Sequence, residues 1–187
     1  MKIIKDTDYP FPEGLFICYD KINGKKNQAI SLLKKLADYV SLDGNTLNVL
    51  KNESGKPFGK INDSSVGVSI THSKDIICCG LYKSGEIGLD VEARNRNVVY
   101  GLRKRILHEN ELSIVEDMDT IRLWTIKEAA LKLTGSGLRT AMKKVEIKKA
   151  DNQYFNVNVG TMQSSIISFE LDEYWLSVAY LPTNAGL

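Results

Sequence analysis

Residues 64–92 read SSVGVSITHSKDIICCGLYKSGEIGLDVE and contain three apolar runs separated by short polar segments. Apolar runs of this length with β-branched residues predict strands. The predicted strands are 66–71, 76–82 and 86–92. The separators HSKD (72–75) and KSG (83–85) are typical of hairpin turns. This stretch therefore predicts antiparallel sheet structure in the middle of the chain.

The segments upstream and downstream of this stretch both contain helical patterns. Upstream, NQAISLLKKLADYV (27–40) places Ile30, Leu33, Ala37 and Val40 on one helical stripe. Downstream, helices are predicted over GLRKRILHENEL (101–112) and over DTIRLWTIKEAALKLTG (119–135), where the final glycine is a stop signal. Four strands are predicted after them, from KVEIKK, YFNVNVG, SIISFELD and YWLSVAYL.

A helix combined with antiparallel strands, occurring twice, predicts an α+β fold. We expect two similar subdomains, 1–86 and 87–187, each made of antiparallel strands packed with helices. The 187 residues are 43% hydrophobic and 26% charged, which is typical of a globular protein. The formal net charge of +2 gives no indication of a nucleic-acid partner.

The cysteines and the amino-terminal sequence indicate a compartment. Cys18, Cys78 and Cys79 form neither a disulfide framework nor a zinc motif, and they are typical of buried thiols in a reducing compartment. The first residues lack the apolar run of a signal peptide, and no run approaches the roughly 18 apolar residues of a membrane span. We therefore expect a cytoplasmic protein with no membrane partner.

Acidic residues lie at the end of the third predicted strand. Asp90 and Glu92 are two residues apart, so a strand places both on one face. They form either an exposed strand edge or a pair that shares a cation. In the last predicted helix, Trp124, Glu128 and Lys132 lie on one face at i, i+4 and i+8. Glu128 and Lys132 form either an exposed ion pair or part of a site with the two strand acids.

Three converging carboxylates would need a cation, and hard oxygen ligands favour Mg²⁺. A Mg²⁺ ion held by few acids also binds substrate phosphates, and Lys56, Lys127 and Lys132 suit a polyanionic substrate. The sequence contains neither a P-loop motif nor a G-x-G-x-x-G motif after a strand. These residues predict phosphoryl chemistry, and a Mg²⁺-dependent nucleotide-binding module of unknown reaction is one interpretation.

Five motifs in sequence order resemble those of a known family. IGLDVE (87–92) and LWTIKEAALK (123–132) resemble the signature pair of the 4′-phosphopantetheinyl transferases. GKP (55–57), VSITHS (68–73) and KRILHENEL (104–112) are similar to three further motifs of that family. Because the D-x-E motif lies in mid-chain, the chain resembles the surfactin-synthetase type, a monomer of two similar subdomains related by a pseudo-twofold axis.

The resemblance implies a reaction. The 4′-phosphopantetheine arm of coenzyme A would pass to a serine of an apo acyl or peptidyl carrier protein, and 3′,5′-ADP would leave. Carriers of nonribosomal peptide, polyketide and fatty-acid synthesis all fit this description. The cofactor would be Mg²⁺, with Mn²⁺ as an alternative ion. A catalytically inactive member that binds coenzyme A or a carrier protein is the other interpretation within the family.

The resemblance also assigns roles in the carboxyl-terminal subdomain, which would carry the metal and catalytic motifs. Asp90, Glu92 and Glu128 would be metal ligands, and Glu128 is alternatively the general base for the serine. Lys132 would stabilise charge on the phosphate, so Asp90, Glu128 and Lys132 form the catalytic set. Glu111 would orient a metal-bound water.

The amino-terminal subdomain would form part of the coenzyme A site. His72 and Ser73 would hold its 3′-phosphate, while Lys56 and Pro57 would shape the nucleotide pocket. Lys127, from the other half of the chain, would support phosphate binding. For His72 the alternative is an ordinary histidine in a turn.

A basic segment follows the D-x-E motif. RNRNVVYGLRKR (94–105) has five basic residues interleaved with apolar ones. Carrier proteins present an acidic helix, so this segment is a candidate docking surface, with Arg103 and Arg105 as expected contacts. The alternative is a solvated loop.

Overall fold

A computed structural model describes residues 1–5, 9–137 and 140–182 and confirms an α+β fold of two antiparallel sheets with helices. The strands are β1 (Lys2–Ile4), β2 (Leu15–Lys21), β3 (Asn48–Lys51), β4 (Pro57–Ile61), β5 (Ser64–Ser73), β6 (Ile76–Tyr82), β7 (Gly85–Ala93), β8 (Val145–Asp151), β9 (Tyr154–Val159), β10 (Met162–Leu171) and β11 (Tyr174–Pro182). The helices are α1 (Gln28–Tyr39), α2 (Leu102–Ile106), α3 (Leu112–Val115) and α4 (Thr120–Thr134). No helix within these described ranges is long and apolar enough to cross a membrane.

The first of two compact units is built on Met1–Ile87 and contains a six-stranded sheet in the order β1-β2-β6-β5-β4-β3. Helix α1 covers this sheet because its apolar stripe faces the strands. Leu33 and Ala37, which the sequence places on that stripe, are fully buried, in one apolar cluster with Cys18, Cys79 and other core residues. Cys18 and Cys79 therefore act as small apolar side chains in this core.

The polar segment at 83–85 does not form the predicted hairpin. Strands β5 and β6 do pair, with Ser73 opposite Ile76, so the first predicted turn exists. It is shorter than predicted because β5 continues through His72. Strand β6 already lies between β2 and β5, and a strand has only two edges, so β7 pairs elsewhere, with β11 in the second sheet.

The second unit, Gly88–Leu181, contains a five-stranded sheet in the order β7-β11-β10-β9-β8 and helix α4. Helix α4 begins after Asp119, whose Oδ1 accepts hydrogen bonds from the backbone N–H groups of Ile121 (2.8 Å) and Arg122 (2.9 Å). It ends at Gly135, which has a left-handed φ of 68°, so the predicted stop signal is confirmed. The apolar residues of α4 form one core with the sheet.

The helix predicted over 101–112 is present only in part. Helix α2 ends at Ile106 because Leu107 adopts an extended conformation with ψ 132°. The carboxylate of Glu111 then accepts a hydrogen bond from the backbone N–H of His108 at 2.8 Å, and this bond holds a loop between α2 and α3. A side-chain contact thus replaces the backbone hydrogen bonds of a continuous helix.

Gly88 lies where β7 passes against α4, and it sets the distance between them. A Cβ atom at Gly88 would lie 2.2 Å from the carbonyl oxygen of Ala129 and 2.5 Å from the backbone nitrogen of Leu133. Because both are backbone atoms of a helix, any side chain at this position must push the strand and the helix apart.

We expect Gly88→Ala to lower the free energy of unfolding by roughly 1–3 kcal/mol through this overpacking. Gly24→Ala is the matched control, since a Cβ there meets no atom within 4 Å and only the backbone φ of 70° opposes it. Urea denaturation of both variants measures the difference. A loss below about 0.5 kcal/mol in Gly88→Ala would contradict the close approach of β7 and α4.

Candidate active site

The candidate site in the second unit begins with Asp90 on β7. Its side chain meets Lys132 of α4, whose Nζ donates a hydrogen bond to Asp90 Oδ1 at 2.7 Å. Asp90 is only 6% exposed, so it does not lie on a solvated strand edge. Lys132 is half-buried, and its ion pair runs across to the strand. Of the alternatives left by the sequence, the arrangement with α4 facing the strand acids is the observed one.

Glu92, the second acid of the motif, is tied to the loop that follows β7. Arg96 donates a hydrogen bond to the carboxylate of Glu92, and its guanidinium lies 5.4 Å from the centroid of the Trp124 ring. Sequence reasoning did not single out Arg96, although it follows Glu92 by four residues. Arg96 therefore joins the acidic strand end to the half-buried face of α4 that bears Trp124.

The charges of the three predicted acids influence one another. The pKa of Asp90 is raised to about 6, chiefly by burial and also by the charges of Glu128 and Glu92, while the attraction of Lys132 opposes the rise. Burial likewise raises the pKa of Glu128; Lys132 and Arg96 oppose this rise and Glu92 adds to it. We call these five residues, Asp90, Glu92, Arg96, Glu128 and Lys132, the charged cluster.

The charged cluster has the chemistry of a site for a hard divalent cation, because three carboxylates repel one another and two cations offset the repulsion only in part. Among the described residues, however, no three acidic, histidine or cysteine side chains are placed so that they could hold one ion. Asp90 and Glu92 instead contact Lys132 and Arg96. Their carboxylate oxygens are nevertheless the type of donor atom that Mg²⁺ prefers.

Lys127 and Glu111 form an ion pair inside the second unit, and both side chains are 0% exposed. The ammonium of Lys127 also donates to the carbonyl oxygen of Val145 at 2.6 Å. Glu111 accepts a second hydrogen bond, from the backbone N–H of Ile147 at 2.9 Å. Burial lowers the pKa of Lys127, and Glu111 opposes that shift. The pair fastens α4 to β8 and to the loop before α3, and neither side chain faces solvent.

The remaining predicted residues lie in the first unit. Lys56 and Pro57 line a cavity of about 250 Å³, where Lys56 forms an ion pair with Glu86. His72 and Ser73 end strand β5, and His72 is exposed. His72 therefore lies on a strand, whereas the sequence placed it in a turn.

The basic segment 94–105 contains side chains with different roles. Arg103 donates hydrogen bonds to the carbonyl oxygens of Val115, Met118 (2.6 Å) and Glu116 (2.9 Å), so it holds the end of α3. The expectation that Arg103 is available for docking does not agree with these contacts. Lys104 and Arg105, on the same helix, are exposed.

An apolar groove of about 440 Å³ borders the same segment. Its lining includes Val99, Leu102, Arg105, Trp124 and Glu128, so it reaches the charged cluster. Three large apolar side chains of the segment are exposed beside it: Val98, Val99 and Tyr100. Exposed apolar residues next to basic ones are typical of a binding surface.

Comparison with known proteins gives matches to one family. The family model described as the 4'-phosphopantetheinyl transferase superfamily matches residues 86–179, half of the chain. The 4'-phosphopantetheinyl transferase gsp of Aneurinibacillus migulanus is 27% identical over 127 residues, which are 64% of this chain and 52% of that protein. The 4'-phosphopantetheinyl transferase HetI of Nostoc sp. (strain PCC 7120) is 25% identical over 122 residues, which are 60% of this chain and 51% of that protein. The chain spans about half the length of the curated relatives it matches.

Proposed function

Because this chain belongs to the 4′-phosphopantetheinyl transferase superfamily, we propose that it transfers the 4′-phosphopantetheine arm of coenzyme A to a serine of an apo carrier protein. The products are the holo carrier protein and 3′,5′-ADP. We place this activity in the cytoplasm and on a monomer; the three buried free thiols are in keeping with a reducing compartment. The carrier can belong to peptide, polyketide or fatty-acid synthesis.

The observation that carries this proposal is the charged cluster within the region that the family model matches. Phosphoryl transfer needs little covalent chemistry from a protein and depends on charge neutralisation and positioning. The buried Asp90 holds the ammonium of Lys132 on the face of α4 that also bears Glu128. A non-catalytic member would have no need of these opposed charges, whose burial costs free energy.

In the proposed step, the serine oxygen of the carrier attacks the phosphorus that bears pantetheine. A new P–O bond forms, and the P–O bond to the bridging oxygen of the pyrophosphate breaks. The electron pair leaves with 3′,5′-ADP. Glu128 accepts the serine proton, directly or through a water molecule, and its raised pKa suits a proton acceptor. Lys132 offsets the negative charge on the phosphate oxygens.

Asp90 and Glu92 would hold the metal ion, with Glu128 as a third ligand in the alternative in which it is not the proton acceptor, and Mg²⁺ suits their oxygen donors better than a soft metal. When bound, the ion supplies positive charge beside the pyrophosphate. Lys132 and Arg96, which contact two of these carboxylates, offset their charge in the protein itself. Glu111 and Lys127 support the site from the interior, in place of the water and phosphate contacts that the resemblance assigns to them.

Residues of the first unit are proposed to bind coenzyme A. Lys56 and Pro57 line a cavity that can take part of the nucleotide. His72, exposed at the end of β5, and its neighbour Ser73 are proposed to hold the 3′-phosphate. Isothermal titration of coenzyme A against ATP tests this assignment. Binding of coenzyme A with little binding of ATP supports it, whereas preference for ATP would favour a nucleotide-binding module of another kind.

The carrier protein is proposed to dock on the basic segment 94–105 and its apolar groove. We expect reversal of Lys104 and Arg105 to Glu to raise the carrier KM about tenfold, since an acidic partner would then meet like charge. The coenzyme A KM should change little. The matched control reverses Lys148 and Lys149, which lie on β8. A carrier KM equal to that of the control variant would refute docking at this segment.

A further inference from the structure

Glu86 occupies a cavity that the proposed function assigns to coenzyme A, although no motif of the sequence marks this residue. The cavity of about 250 Å³ lies in the first unit, and its charged lining residues are Lys56, Lys83 and Glu86. Glu86 Oε2 forms an ion pair with the ammonium of Lys56. The only acidic side chain described in this lining therefore contacts one of its two cations.

The two members of this ion pair are exposed to different degrees. The side chain of Lys56 is 9% exposed, whereas that of Glu86 is 46% exposed. The aliphatic stem of Lys56 is thus buried in the wall of the cavity. The carboxylate of Glu86, which is more exposed, contacts the ammonium of Lys56. A phosphate that contacts the ammonium of Lys56 therefore competes with the carboxylate of Glu86.

Hydrogen bonds hold the backbone around Lys56 in a turn. Asn52 Oδ1 accepts a hydrogen bond from the backbone N–H of Lys56 at 3.0 Å, and the backbone N–H of Asn52 donates to the carbonyl oxygen of Lys56 at 3.0 Å. Gly55, with a φ of 86°, closes this turn. The ion pair with Glu86 is the contact of Lys56 that a bound anion would replace.

From these contacts we propose that Glu86 is a specificity-determining residue, which takes the place of a ligand phosphate at Lys56 and weakens coenzyme A binding. This inference rests on the proposed function, because it assumes that coenzyme A enters this cavity. A weakly charged ligand cannot displace the carboxylate, whereas a polyanion exchanges one anionic partner of Lys56 for another. Glu86 thereby selects for strongly anionic ligands.

The test compares coenzyme A affinity in single and double variants by isothermal titration at low and high salt. We expect Glu86→Gln to bind coenzyme A about fivefold more tightly at low salt and to lose most of this gain at high salt. In a Lys56→Gln background the same change should have no effect, because the competition needs the ammonium. Glu53→Gln, an exposed acid on the same turn that does not line the cavity, controls for net charge.

The outcomes separate this inference from the proposed function. If Glu86→Gln leaves the affinity unchanged, or changes it only as Glu53→Gln does, the role of Glu86 is refuted while coenzyme A binding stands. If the affinity gain persists in the Lys56→Gln background, competition at Lys56 is refuted. If the wild-type protein binds no coenzyme A and transfers no phosphopantetheine, the proposed function fails, and the role of Glu86 fails with it.

Discussion

Asp90→Asn is expected to reduce phosphopantetheine transfer by at least about 10²-fold while the protein remains folded. The substitution removes one carboxylate from the charged cluster, and with it the charge that opposes the ammonium of Lys132. Asparagine has the same shape, and its amide oxygen can still accept the hydrogen bond from Lys132. Because the side chain is 6% exposed, a neutral amide also avoids the cost of a buried charge.

Initial rates of carrier modification measure this effect, and thermal unfolding of the same samples measures folding. Asp117→Asn is the matched control, since Asp117 is exposed in the same unit. The control variant should retain wild-type rates. Full activity of Asp90→Asn would remove Asp90 from the catalytic set, and loss of cooperative unfolding would show that its role is structural.

Lys127→Met is expected to lower the free energy of unfolding by about 3–5 kcal/mol, the largest stability effect that we predict. The variant leaves Glu111 as a carboxylate with 0% exposure and no cationic partner from α4. It also removes a hydrogen bond to the carbonyl oxygen of Val145. Methionine fills most of the space of the lysine stem, so a cavity contributes little to the loss.

Denaturant unfolding of Lys127→Met and of Lys144→Met measures this difference. Lys144 serves as the control because it is exposed and directly precedes β8. The control should change stability by only about 0.5 kcal/mol. Adding Glu111→Gln to Lys127→Met should cost less than the two single losses together, since both variants break one pair. Additive losses, or a loss no larger than that of Lys144→Met, would contradict a buried Lys127–Glu111 pair.

Local signals predicted the parts of this fold that depend on neighbouring residues. Helix α4 ends at Gly135 because a left-handed glycine stops a helix whatever packs around it. Trp124, Glu128 and Lys132 share one half-buried face because the helical period alone fixes their alignment. The D-x-E spacing likewise predicts that Asp90 and Glu92 share one face of β7. Asp90 then meets Lys132 where the strand packs against α4.

The features that the sequence did not predict depend on contacts between distant residues. The segment at 83–85 looks like a hairpin turn, but β2, which precedes it by some sixty residues of chain, occupies the edge that β7 would need. Arg103 has the composition of a docking residue, and only the position of the carbonyl groups at the end of α3 gives it a structural role. One feature of the sequence did point to the role of Lys127. Most residues of α4 are buried, and a lysine at a buried position of a helix requires an oppositely charged partner.

Intact-mass spectrometry of an apo carrier protein, incubated with coenzyme A, Mg²⁺ and this protein, tests the proposed transferase activity most directly. We predict that the carrier gains roughly 340 Da, the mass of one phosphopantetheine arm, as expected for phosphoryl transfer of this kind. Asp90→Asn run in parallel should leave the carrier at its apo mass. If carriers of peptide, polyketide and fatty-acid synthesis all keep their apo mass with the wild-type protein, despite binding of coenzyme A, the transferase account is contradicted.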